Sequence, residues 1–154
     1  MTWTALGFPN PACAGTLAPG MAYPIELARA AQRHLEAAML LDQTPPSGKR
    51  DVAGYLYGIA AECALKQIMW YSGMRPTDER DDPFFLHFPA LKTVLRDCAR
   101  GRHAGRLSAH ARDSRLMAEW DVKMRYADGP SVLGKPIDRW SVQARSLVQE
   151  MHGT

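Results

Sequence analysis

Apolar positions in this chain recur at steps of three and four along most of its length and nowhere sustain a two-residue alternation. That pattern predicts helices and no sheet. Ile25, Ala28, Ala31, Leu35, Ala38 and Met39 form the first buried stripe. The helix carrying it is expected to open near Pro24, where a missing N–H costs nothing, with Glu26 at the positive end of the helix dipole. Thr44-Pro45-Pro46-Ser47-Gly48 breaks it. A second helix is predicted from about Arg50 to Ser72, with Val52, Tyr55, Leu56, Ile59 and Cys63 on one face. Tyr57, Ala60, Ala61, Ala64, Leu65 and Ile68 mark another, and a helix apolar nearly all round belongs at the centre of a bundle. Gly54 and Gly58 read as packing glycines within it, and Gly73 as its stop.

The third helix is expected from His87 to about Arg100, turning Leu91, Val94, Leu95 and Cys98 inward. The fourth spans about Leu107 to Ala127, with Met117, Trp120 and Met124 on its inner side and Tyr126 as a core aromatic. Asp128-Gly129-Pro130 ends it, a loop runs to Pro136, and Asp138 caps a fifth helix with Trp140, Ala144, Leu147, Val148 and Met151 inward. The expected fold is all-α, a bundle of these helices over residues 22–154. An irregular arm over 1–21 precedes it, carrying Trp3, Leu6, Phe8 and Leu17.

The length of 154 residues suits one core, and 46% apolar content can fill it. No run approaches the ~18 apolar residues a membrane helix requires, so no membrane is expected as a partner. The first twenty residues lack Lys and Arg and hold Pro9, Pro11 and Pro19, a poor secretory signal. Cys13, Cys63 and Cys98 are too few and too scattered for a disulfide framework or a zinc site. The expectation is a reduced cytoplasmic protein with no metal and no cofactor. The net charge of +3 is mild, but its distribution is not. Residues 78–82 form an acidic knot, while Arg96, Arg100, Arg102, Arg106, Arg112 and Arg115 face only Asp97 and Asp113 in their stretch. Such a stretch is either a solvated helix face or a surface for phosphates. It holds no interleaved aromatics to stack on bases.

Four fragments then fall in order. They are Tyr55-Leu-Tyr-Gly-Ile-Ala-Ala-Glu62-Cys-Ala-Leu-Lys66, the His87-Phe-Pro-Ala-Leu after the acidic loop, Trp120-Asp-Val-Lys-Met-Arg125-Tyr126-Ala-Asp128, and the last amphipathic helix with Trp140. Together, over about residues 22–151, they resemble the HEPN family of helical domains. The resemblance implies an antiparallel bundle of four to five helices, frequent dimers, and biology centred on RNA or nucleotides, often in toxin–antitoxin or defence systems beside a nucleotidyltransferase.

Many HEPN proteins cleave RNA without metal, using an Arg followed four to six residues later by a His. The Arg holds the scissile phosphate and the His moves a proton. The matching residue here is Arg125, and no His follows it in that window. The pairs Arg29/His34, Arg80/His87, Arg96/His103 and Arg145/His152 satisfy the spacing, but in positions the family does not use.

The leading expectation is therefore a non-catalytic interaction domain, a homodimer or the partner of a neighbouring-gene protein such as a nucleotidyltransferase. One alternative is a nucleotide- or RNA-binding module using Arg125, Arg100, Arg102, Arg106 and Arg112. The other is an RNase with a rearranged site, in which His103 or His110 replaces the missing His beside Arg125. Within the bundle, Glu62 on the central helix is expected to neutralise Arg125, since an unpaired buried charge costs several kcal/mol.

Overall fold

The computed structural model describes residues 25–43 and 49–154, and among these every regular element is helical. The predicted arm over 1–21, the start near Pro24, the breaker at 44–48 and Cys13 lie outside the described residues. The helices are α1 (Leu27–Gln43), α2 (Arg50–Tyr71), α3 (Ala90–Cys98), α4 (Ala104–Arg112), α5 (Gly129–Leu133) and α6 (Ile137–His152), with a 3₁₀ turn over Val122–Tyr126.

α2 is the innermost helix, as its all-round apolar pattern requires. Ala53, Tyr57, Ala60, Ala61, Ala64, Leu65, Ile68 and Met69 are all fully buried. Its two glycines are where neighbours come closest. A methyl at Gly54 would sit 3.1 Å from Ile137 and 3.3 Å from Trp140, and one at Gly58 would fall 1.9 Å from the Trp120 ring. The α1 stripe is buried at Ala31, Leu35 and Ala38, but Ile25 lies ahead of the helix and is exposed. All five predicted inward residues of α6 are buried.

Cross-helix partners set the directions. Arg50 bridges Asp42 at the end of α1 to Asp138 at the start of α6, and Tyr57 donates to Asp42 at 2.9 Å. α1 is thus antiparallel to α2. α6 instead runs in the same direction as α2, since Gly54 meets Ile137 and Trp140 near both of their starts. A strictly antiparallel bundle is not what forms. Arg106 reaches Thr154, His110 reaches Glu150 and Met117 reaches Gln143, so the 104–118 stretch descends antiparallel along α6.

Two predicted boundaries move because side chains compete with the helix for backbone groups. Helix α3 starts at Ala90 rather than His87, because the Glu62 carboxylate draws His87 and the Phe88 N–H toward α2. The long fourth helix stops at Arg112. There Asp113 accepts from the Arg115 N–H at 2.9 Å, and Lys92 from α3 donates to the Asp113 and Leu116 carbonyls. Gln143 takes the Met117 N–H at 2.9 Å, and Trp140 donates to the Ala118 carbonyl at 2.9 Å. Met117 and Glu119 consequently adopt left-handed backbone, with φ of 49° and 66°. Trp120 is still buried, but Tyr126 is 77% exposed, because no helix face remains to carry it inward. Asp138 does not cap α6: Pro136 precedes the helix and the carboxylate serves Arg50.

Candidate phosphate-binding site

The basic stretch folds into the end of α3, a glycine turn and α4. Gly101 makes the turn possible. Its φ is +87°, and an added Cβ would lie 1.7 Å from the Ser72 carbonyl oxygen, so only glycine lets this corner press against the end of α2. Ser72 locks the corner by donating to the Arg100 carbonyl and accepting from the His103 N–H at 3.1 Å. Arg96, Arg100, Arg102, Arg106, Arg112 and Arg115 are all exposed. Among the described residues, only Arg106 of the six pairs with a carboxylate. Arg102 makes a long contact, 3.4 Å, with the Tyr71 carbonyl.

Arg106 and His110, one turn apart on α4, converge on a residue that sequence reasoning did not single out. His110 Nε2 lies 2.8 Å from Glu150 Oε2, and Arg106 Nε lies 3.2 Å from Glu150 Oε1. An ionised carboxylate only accepts, so the shared hydrogen sits on His110 Nε2. The Arg106 contact is close but misaligned, which leaves Glu150 Oε1 buried without a hydrogen bond. Arg106 spends a second donor on the Thr154 hydroxyl at 3.0 Å. Arg106 and His110 were each candidates in the sequence, one for phosphate and one for proton transfer. Glu150, forty residues on, had no local signal.

The expected Glu62–Arg125 pair does not form. Glu62 is buried and its two oxygens accept from His87 Nδ1 and the Phe88 N–H, both at 2.8 Å. Arg125 stands exposed on the 3₁₀ turn, its guanidinium 4.9 Å from the centre of the Tyr126 ring. With the fourth helix ended at Arg112, residue 125 falls on the short 3₁₀ turn, where its side chain is exposed. Lys66, one turn along from Glu62, is also buried. Desolvation, opposed by Glu62, Cys63 and Asp82, holds its ammonium below the ordinary lysine value. Burial likewise pushes the Cys63 thiol up to about 11, a packed rather than a reactive cysteine.

His103 is half-buried with its Nε2 unbonded, and it does not join His110 or Arg125 in any hydrogen bond. A half-open hollow of about 310 Å³ beside Trp120 is lined by Pro89, Lys92, Leu116 and Glu119, and by none of the predicted site residues. Among the described residues, no cluster of three or more His, Cys, Asp or Glu could hold a metal, and no helix is long and apolar enough to cross a membrane. In comparisons with known proteins, no family model, curated protein or solved structure matches this chain.

Proposed function

We propose that the chain is a HEPN-like helical domain that binds the phosphates of RNA or a nucleotide through the α3–α4 face, without the family's cleavage chemistry. The observation that carries this reading is the unneutralised charge of that face. Five exposed arginines have no carboxylate within ion-pair reach among the described residues: Arg96 on α3, Arg100 and Arg102 in the turn, Arg112 at the end of α4 and Arg115 just beyond it. Exposed guanidiniums strung along one such stretch attract a polyanion at long range and release its counterions on contact. Arg125 has no His four to six residues after it, and among the described residues no hydrogen bond joins it to His103 or His110.

Titration of a labelled oligoribonucleotide at two salt concentrations tests this. Binding should weaken with salt by a slope of about −0.7 per phosphate contacted. The triple variant Arg100→Ala, Arg102→Ala, Arg112→Ala should lose most of the affinity. Absent binding, or binding unchanged by the triple variant, refutes the reading.

A second reading, a homodimer or a partner protein, draws on a different region. Tyr126, Leu133 and Val142 are large, apolar and 77%, 47% and 65% exposed. Light scattering of the native protein and of Val142→Asp separates it: a monomer in both ends the homodimer form of this reading.

A further inference from the structure

We infer that Arg106 and His110 form a discrete phosphate subsite, which Glu150 occupies in the free protein as an internal competitor. This inference rests on the phosphate-binding reading of the α3–α4 face and names the point on it where one phosphate is gripped.

The argument begins with geometry. A guanidinium and an imidazole one helical turn apart lie 3.2 and 2.8 Å from the two oxygens of the same carboxylate. Two convergent N–H donors on one oxyanion are what a bound phosphate requires, and the Glu150 carboxylate has the same charge sign and oxygen chemistry. The site is also reachable, since the side chains of Arg106, His110 and Glu150 are 45%, 23% and 22% exposed.

The second part concerns the quality of the resident pair. Glu150 Oε1 is buried and receives no aligned hydrogen bond, although Arg106 Nε is within ion-pair distance. A carboxylate oxygen held by charge without an aligned hydrogen bond is less firmly seated than one that accepts an aligned bond. An incoming phosphate would take over both donors, with freedom to align on them, as Glu150 rotates into water. Arg106 is the one arginine of the face that a carboxylate restrains, so the face is weakest at this point until Glu150 leaves. Thr154 supports the closed form: its hydroxyl accepts from Arg106 at 3.0 Å and donates to the Glu150 carbonyl at 2.7 Å.

The test is Glu150→Gln, which keeps the shape and removes the competing charge. Anisotropy of a 3′-labelled oligoribonucleotide, with a 5′-hydroxyl or a 5′-phosphate, should show about three- to tenfold tighter binding by the variant. The charge-matched control Glu79→Gln, in the acidic loop, should change affinity far less. The gain should vanish when Arg106→Ala is added. A larger gain on the 5′-phosphorylated strand assigns the subsite to a terminal phosphate, and an equal gain assigns it to the backbone. A gain no larger than the control's, or one that survives Arg106→Ala, overturns the subsite.

Titrating inorganic phosphate against sodium chloride at matched ionic strength separates this inference from the reading beneath it. The His110 imidazole resonances should move in Glu150→Gln at lower phosphate than in the native protein. If no oligonucleotide binds, the face reading has failed, and these resonances still decide the subsite. If oligonucleotides bind and the resonances stay still in both proteins, the subsite has failed and the face stands.

Discussion

Replacing Gly58 by alanine adds one methyl group to the centre of the molecule, and the structure fixes what it meets. The new Cβ would lie 1.9 Å from Trp120 Cε2, 2.1 Å from Nε1 and 2.4 Å from Cδ2. Carbon atoms in contact sit about 3.5–4.0 Å apart, so the indole would have to withdraw by roughly 1.5 to 2 Å. Its present contacts oppose the move. The ring stacks on Tyr55 at 5.9 Å, meets Phe88 edge-on at 6.3 Å, and donates its N–H toward the Gly54 and Tyr55 carbonyls at 3.2 and 3.3 Å. Expelling a large aromatic from a core costs about 3–5 kcal/mol. Alanine returns about 1 kcal/mol of helix propensity. The expected net loss is therefore about 2–4 kcal/mol, or roughly 5–15 °C in Tm for a chain of this size. Thermal melts followed by far-ultraviolet circular dichroism measure it, and the Trp120 emission should shift toward that of a solvated indole. Adding Trp120→Leu should recover at least about 1 kcal/mol relative to the sum of the single changes, because the two sites share one contact. A Gly58→Ala protein as stable as the native one, or more stable, would refute the packing argument, since propensity alone predicts a gain.

Three further outcomes follow from the buried and exposed charges. Arg125→Ala should change stability by less than about 0.5 kcal/mol in urea denaturation, because its guanidinium meets only an exposed ring; a loss of several kcal/mol would restore a buried role for it. Glu62→Ala should cost about 1–3 kcal/mol by stranding the buried Phe88 N–H and freeing His87, and hydrogen exchange at Phe88 should accelerate; unchanged protection at Phe88 would contradict this. His34 is held below the ordinary histidine value, first by burial and then by Arg33. The unfolded chain therefore takes up that proton more readily, and stability should fall as pH drops below about 6.5 until the folded value is also passed. His34→Gln should flatten the fall in urea midpoint between about pH 7 and pH 5, and an unaltered pH profile would count against the assignment.

Much of the helical order was legible along the chain because it is a property of local periodicity. The stripes of α1 and α6, the all-round apolar α2 and the close-packing glycines at 54 and 58 needed no partner to be read. The arginine-rich stretch was equally visible. What the sequence could not decide was every contact made between distant segments. Helix propensity favoured a continuous fourth helix, yet Lys92, Gln143 and Trp140 satisfy its backbone groups from outside, and the chain turns instead. That break moved Arg125 and Tyr126 to the surface and left Glu62 to His87. Glu150 acquires its place at the site from α6 packing beside α4, across forty residues of chain. Burial patterns are written locally because the helix repeats every few residues; the pairing of charges depends on which helices come to lie side by side, and only the folded molecule settles that.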